Sequence, residues 1–400
     1  MNTEYLKEVQ NWARAQLETC VNFWLKHGMD NINGGVYTCL DRTGKIYSTD
    51  KSVWMQGRCA WTFARLCNQY GSRPEWLKAA ESCIDFMEKY CINREAGGRL
   101  YFTVTADGRP LRQRRYYFSE AFYITANIEY YGASGNKSCL ERARKYYDFL
   151  YALNSGAMAD PANLGPKTIP ETRRTRALAD PMIFLNTTAV MRKYDKENRA
   201  KYDKYAEECA KSIIKYHFKP ELHCTLETVA PNGDTMLDVS SGRVVNPGHD
   251  LECSWFLEEQ AEYANDTELS AKAEKIYEYA VAGGWDNEFG GLLSFTDCKG
   301  FPPEAYEHDM KLWWPHNEMM IASLMFYKKT GEQKYLVKFE EARHYCINHF
   351  CDDRFGEWYG YLRRDGLPTQ PASKGSIFKG PFHVPRCLMA VDMMINDIIA

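Results

Sequence analysis

Two histidines sit in matched surroundings far apart in the chain, His249 within Asn246-Pro-Gly-His249-Asp-Leu-Glu252 and His383 within Gly380-Pro-Phe-His383-Val-Pro-Arg386. Imidazole titrates closer to neutrality than any other side chain, so it can both take and return a proton. Each histidine lies beside prolines where an apolar helix begins, and proline suits the first helical turn. Unpaired N–H groups and the positive dipole end at such a start disfavour an imidazolium. Both histidines are therefore expected to be neutral at rest and available as bases. The same dipoles would stabilise an anion formed between them. Facing each other, the two rings would move protons on opposite sides of one substrate.

Other residues extend this set. Arg58 lies in the apolar run Trp54-Met-Gln-Gly-Arg58-Cys-Ala-Trp61. A buried arginine needs a partner, and an internal ion pair and an anion clamp are both open readings. Trp313 and Trp314 precede Pro315-His316-Asn-Glu318 and read either as core or as a stacking platform. Glu120, Glu252 and Glu318 are the carboxylates that could act as acids or bases, or orient an imidazole. His27, His217, His223, His344 and His349 fall in helix ends or hairpins and read as structural; His308 is unassigned. No His-Glu-x-x-His and no Cys/His cluster points to a metal site. Gly-Gly pairs occur in hairpins rather than between strand and helix, which argues against a dinucleotide fold.

A repeat supplies the frame that must position these residues. Asn31-Ile-Asn-Gly34-Gly35-Val-Tyr returns as Asn93-Arg-Glu-Ala-Gly97-Gly98-Arg-Leu-Tyr, as Asp286-Asn-Glu-Phe-Gly290-Gly291-Leu-Leu, and as Asp352-Asp-Arg-Phe-Gly356-Glu-Trp-Tyr. Each reads as a tight turn, a short strand and a second turn at Gly44, Gly108, Gly300 or Gly366. Copies recur about every 64 residues, and the gap from Gly98 to Gly290 is three such periods. Two degenerate copies are thus expected inside it, one at Leu222-His-Cys-Thr-Leu-Glu-Thr-Val and a poorer one near Gly165. Between hairpins the pattern is helical. Leu6, Val9, Ala13, Leu17, Val21 and Trp24 form one stripe, whereas 118–131 and 255–263 are apolar all round. Six units of helix, hairpin and buried helix predict one all-α domain over 1–400, an (α/α)6 toroid of six inner and six outer helices. Arg58, Glu120, His249, His316 and His383 each fall at or near the start of an inner helix, so they should gather at one mouth. The irregular stretch 157–176 is a rim or a long connection.

Composition narrows the function class. Apolar residues make up 45% of the 400, and aromatics 14%, with 27 Tyr and 10 Trp. Such an aromatic excess suits a large core or a cleft that stacks on sugar rings. A net charge of −3 gives no reason to expect nucleic acid or a membrane surface as partner. No apolar run is long enough to span a bilayer, and Met1–Cys20 reads as an amphipathic helix rather than a signal peptide. Fourteen cysteines without a Cys-x-x-Cys pair read as reduced thiols, which predicts a cytoplasmic protein.

At these residues the chain closely resembles the N-acylglucosamine 2-epimerases. The likeness runs through Lys51-Ser-Val-Trp-Met-Gln-Gly-Arg58, Asn246-Pro-Gly-His249-Asp-Leu-Glu252, Met310-Lys-Leu-Trp-Trp-Pro-His316-Asn-Glu318, 355–361 and Phe378-Lys-Gly-Pro-Phe-His383-Val-Pro-Arg386. The resemblance implies an (α/α)6 barrel, commonly a homodimer, that interconverts N-acetylglucosamine and N-acetylmannosamine in sialic acid metabolism. It implies catalytic histidines at His249 and His383 and an arginine at Arg58 near the sugar oxygens. Glu120, Trp313, Trp314, His316 and Arg386 are then candidates for contact with the sugar, and Glu252 or Glu318 for ring opening or for orienting a histidine. No cofactor is expected for the chemistry, although ATP or another nucleotide activates that family; no motif here locates such a site. Trp313-Trp-Pro-His316 resembles this branch more than the cellobiose 2-epimerases, which tend to carry Gln at the position of His316. Segment 176–182 matches only in part. Aldose–ketose isomerases, inverting glycoside hydrolases and a non-catalytic sugar binder remain as alternatives on the same barrel.

Overall fold

Outer helices should show a single apolar stripe, and the first one does. In α1 (Thr3–His27) the buried residues Leu6, Val9, Ala13, Leu17, Val21 and Trp24 follow the 3.6-residue period. By contrast α10 (Trp313–Thr330) buries every residue from Pro315 to Leu324. The remaining long helices are α2 (Val53–Tyr70), α3 (Pro74–Phe86), α4 (Phe118–Ser134), α5 (Lys137–Asn154), α6 (Ala179–Tyr194), α7 (Arg199–Ser212), α8 (Pro247–Ala264), α9 (Thr267–Gly284), α11 (Gln333–Tyr345) and α12 (His383–Ile399). A further helical turn covers Pro170–Arg173. This computed structural model describes residues 3–114 and 116–400.

The even-numbered helices pack in sequence order, α2 on α4, then α6, α8, α10 and α12, and α12 returns to α2. They form a closed inner ring. Each odd-numbered helix backs the inner helix before it, and α1 backs α12. The predicted toroid of six inner and six outer helices is therefore the observed architecture, and the inner helices start at one mouth, five of them entered from a hairpin and α6 from a long connection.

Those hairpins are locked in a repeating way. Asp30 takes the backbone N–H of Ile32 at 2.9 Å, and its carbonyl takes that of Gly34. Asp286 does the same with Glu288 and Gly290, and Asp352 with Arg354 and Gly356. Gly290 and Gly291 both have positive φ, a conformation costly for other residues. Each aspartate then receives a fully buried lysine placed just before or near the next inner helix: Lys51 on Asp30 at 2.6 Å, Lys311 on Asp286 at 2.8 Å and Lys374 on Asp352 at 3.0 Å. An arginine from the following unit adds a second contact, Arg364 to Asp286 at 2.9 Å and Arg42 to Asp352 at 2.9 Å. The last of these ties the end of the ring to its beginning.

One expected hairpin is missing. The degenerate copy at 222–229 pairs as predicted, Phe218 with Thr225. Near Gly165 the chain instead runs as the long connection 155–178, where prolines 161, 166 and 170 remove ladder donors. It is pinned at both ends, by Arg99 on Asp160 and by Arg176–Ala177 pairing with Thr228–Val229. It leads into α6, the inner helix whose sequence matched its expectation only in part.

Candidate active site

α8 and α12 begin at the histidines. Asn246 caps α8 by accepting the His249 backbone N–H at 3.1 Å, with Pro247 in the first turn. His383 is the first residue of α12 and is almost fully buried. Trp314, from the first turn of α10, lies between them, with ring centroids 5.2 Å from His249 and 5.8 Å from His383. A Cβ on Gly248 would fall 2.5 Å from that indole, so only glycine lets Trp314 approach so closely. The two imidazoles thus flank one aromatic ring at the same mouth.

Each ring is oriented by a carboxylate on Nδ1, which turns Nε2 away from it. His383 Nδ1 is 2.8 Å from Glu318 Oε1. His249 Nδ1 is 2.7 Å from Glu227 Oε1. Glu227 belongs to the degenerate hairpin, and its backbone is held by Leu178 and Val244. The sequence reading passed it over. Aligning the hairpins on their shared backbone bond puts Glu227 where the others carry Thr38, Phe102, Ser294 and Gly360. A charge at that neutral position was the available signal.

Arg386 ties the floor of the site together. Its Nη2 lies 2.7 Å from Glu252, 2.5 Å from Glu318 and 3.2 Å from His383 Nδ1. Glu318 also accepts the Trp255 indole N–H at 2.9 Å. Glu252, Glu318 and His383 are the one group of potential metal ligands among the described residues, with ligand atoms within 4.8 Å of one another. The Arg386 guanidinium contacts all three, so a cation already sits there. Arg58 stacks over Phe122 and Phe382 at 4.2 and 4.6 Å, and its buried Nε has no hydrogen-bond partner. Burial pulls this guanidinium down to about 9, against the attraction of Glu252 and Glu318. It is a charged donor near neutral pH with capacity to spare.

The surroundings push the two histidines in opposite directions. Burial, with Arg58 and Arg386 close by, holds His383 well below the ordinary imidazole range. Burial also works to lower His249, but Glu227, and beyond it Glu252 and Glu318, outweigh it and raise the group. Against the expectation of two neutral imidazoles, the surroundings push the pair apart: His383 is driven toward its neutral form, and at His249 the neighbouring carboxylates favour the protonated form.

Three expected sugar contacts are also corrected. His316 spends both ring nitrogens, Nδ1 on the Leu312 carbonyl at 2.7 Å and Nε2 on the Leu292 N–H at 2.9 Å, and stacks on Tyr345. It anchors a hairpin, and burial drives it down to about 3. Glu120 takes Arg99 at 2.7 Å and the Leu100 N–H at 2.8 Å and is wholly buried. Trp313 is 3% exposed and packs edge-on to Tyr361 and His383. Adjacent helical residues point about 100° apart, so one tryptophan faces the cleft and the other the core. Arg386 is found clamping carboxylates. Asp180, at the start of α6, is a carboxyl that burial pushes up to about 6 against Arg176.

A cavity of about 480 Å³ lies beside Arg386, its lining including Phe122, Trp255 and Phe382 as well as Arg65, Arg192 and Glu259. Neither histidine is part of that lining.

The family model for N-acylglucosamine 2-epimerase (GlcNAc 2-epimerase) matches residues 35–383. The chain is 36% identical to N-acylglucosamine 2-epimerase of Bos taurus over 400 residues, covering 99% of this chain and 93% of the relative. It belongs to the N-acylglucosamine 2-epimerase family. The human member of that name is 35% identical, with 96% and 90% covered. Among solved structures, cellobiose 2-epimerase from Spirochaeta thermophila DSM 6192 superposes with a TM-score of 0.84 at 22% identity, covering 99% of both chains. Arg58, His249, Glu318 and His383 all fall within the residues matched by the N-acylglucosamine 2-epimerase model.

Proposed function

We propose that the chain is an isomerase that interconverts N-acetylglucosamine and N-acetylmannosamine at C2. The observation that carries this reading is the pair of carboxylate-oriented imidazoles on either side of Trp314. Epimerisation at C2 starts from the open-chain sugar, whose C1 carbonyl acidifies the C2 proton. One histidine removes that proton and leaves an enolate with its charge on O1. Arg58, with its unused donor, and the helix starts stabilise the anion. The other histidine returns a proton to the opposite face. Glu252 and Glu318 hold Arg386 and position His383, and Trp314 stacks on the sugar. This chemistry needs no cofactor.

Engagement of both Glu252 and Glu318 by Arg386 disfavours a glycoside hydrolase, which needs a free acid and base at a set separation. A nucleotide effector, a homodimeric assembly and a cytoplasmic setting complete the proposal. All fourteen cysteines are free thiols and twelve are buried, in keeping with a reducing compartment. No described helix is long and apolar enough to cross a membrane. Incubation with N-acetylmannosamine in deuterated water, with and without ATP, is the test. Proton NMR should show N-acetylglucosamine labelled at C2. A ketose product, or no exchange at C2, would refute the reading.

A further inference from the structure

The two histidine–carboxylate pairs look alike but are not equivalent. Glu318, behind His383, is claimed by Arg386 and by the Trp255 N–H, so little of its charge is left for the imidazole. Glu227, behind His249, forms no ion pair with any lysine or arginine within 4.0 Å among the described residues; its single ion-pair partner is the imidazole itself. An imidazolium beside an unshared carboxylate is stabilised, whereas one beside a carboxylate already neutralised by arginine is not.

We propose that Glu227 is a positioning residue that favours the protonated form of His249, so that for the epimer whose C2–H faces His383 the resting enzyme has His383 ready to take the proton and His249 ready to deliver one, the reverse reaction exchanging the two roles. The proposal rests on the two-histidine reading and adds a direction to it. His383 Nε2 takes the C2 proton and becomes charged. The electron pair of the broken C–H bond passes into the enolate. His249 Nε2–H then gives its proton to the opposite face of C2 and becomes neutral. Exchange with solvent resets both rings. The groups acting on His249 are Glu227 from the hairpin, Glu252 from its own helix, Glu318 from α10 and His383 from α12. Asp250, the next residue in α8, is buried, and burial raises its carboxyl well above the usual range and so disfavours its charged form.

The sign follows from the roles. The acid must stay protonated, so activity falls as pH rises through the His249 pKa. The base must be neutral, so activity falls as pH drops through the His383 pKa. Glu227→Gln keeps the hydrogen bond but removes the charge. In the full chain, measured by epimer formation from N-acetylmannosamine, it should lower kcat at least about tenfold above neutral pH with KM little changed. The alkaline limb of the kcat–pH profile should move to lower pH while the acid limb stays in place. Glu227→Asp should restore part of that limb. A loss of kcat at all pH values with neither limb displaced would mean a packing role and overturn the proposal, as would no loss at all. If the variant does not fold, NMR of histidine-labelled wild-type protein, assigned through His249→Asn, reads the ring directly. His249 titrating below an ordinary histidine would equally refute the assignment. Failure of the parent reading is distinct: wild-type protein would then exchange no C2 proton.

Discussion

His249 and His383 should each be indispensable while contributing little to folding. Replacing either by Ala is expected to cut turnover on the order of 100- to 10,000-fold, the usual worth of a positioned acid or base. Thermal unfolding should be nearly unchanged for His249, whose side chain is 28% exposed. His316→Ala should behave in the opposite way. It would strand the Leu292 N–H, a cost of about 1–3 kcal/mol for a buried group left unpaired, and its effect should appear in melting before it appears in kcat. Residue types and proline contexts made the two catalytic candidates legible. They did not separate His383, facing the cleft, from His316, facing a hairpin, because both begin buried inner helices. Glu227 was hidden for a different reason: its partner is 22 positions away, and only pairing of the hairpin brings them together.

Each turn aspartate links a hairpin to the helix that follows. Burial pushes Asp30, Asp286 and Asp352 up, but lysine, arginine and backbone donors outweigh it and hold all three well below the usual carboxylate range. The stability they contribute is fully present above the ordinary aspartate pKa of about 3.9 and is lost as pH falls through their folded values. Acid unfolding followed by circular dichroism should therefore begin below that pH and start earlier in Asp286→Asn. Lys311→Met leaves Asp286 buried with only Arg364, and should cost about 3–5 kcal/mol in denaturant unfolding. Lys311 directly precedes Leu312 and the α10 start, so kcat should fall with it. The recurring glycine turns stood out in the sequence because their chemistry is local. Their lysines lie roughly 20 residues on and become partners only when the unit closes. The same contrast explains the missing hairpin: spacing located the third unit, but prolines overrode the period.

At the scale of the whole molecule, the ring is sealed between its two ends. α1 packs on α12, Arg14 and Gln10 reach Asp392 and Asn396, and Arg42 reaches Asp352. The period near 64 residues made this closure predictable, since six units of one curvature meet. It did not reveal the cavity beside Arg386, which depends on how far inner side chains reach across the axis. A chain ending at Phe382 should lose turnover entirely, with α1 exposing the apolar stripe that α12 covers; limited proteolysis should then cut within 3–27.

Because α12 carries His383 and is also the seam partner of α1, the reactive centre is complete only once the ring has closed. Before α12 docks, Trp314 and His249 stand beside an unfilled slot. A partly folded polypeptide can hold most of the scaffold and still be chemically silent, so refolding should restore helicity before it restores turnover.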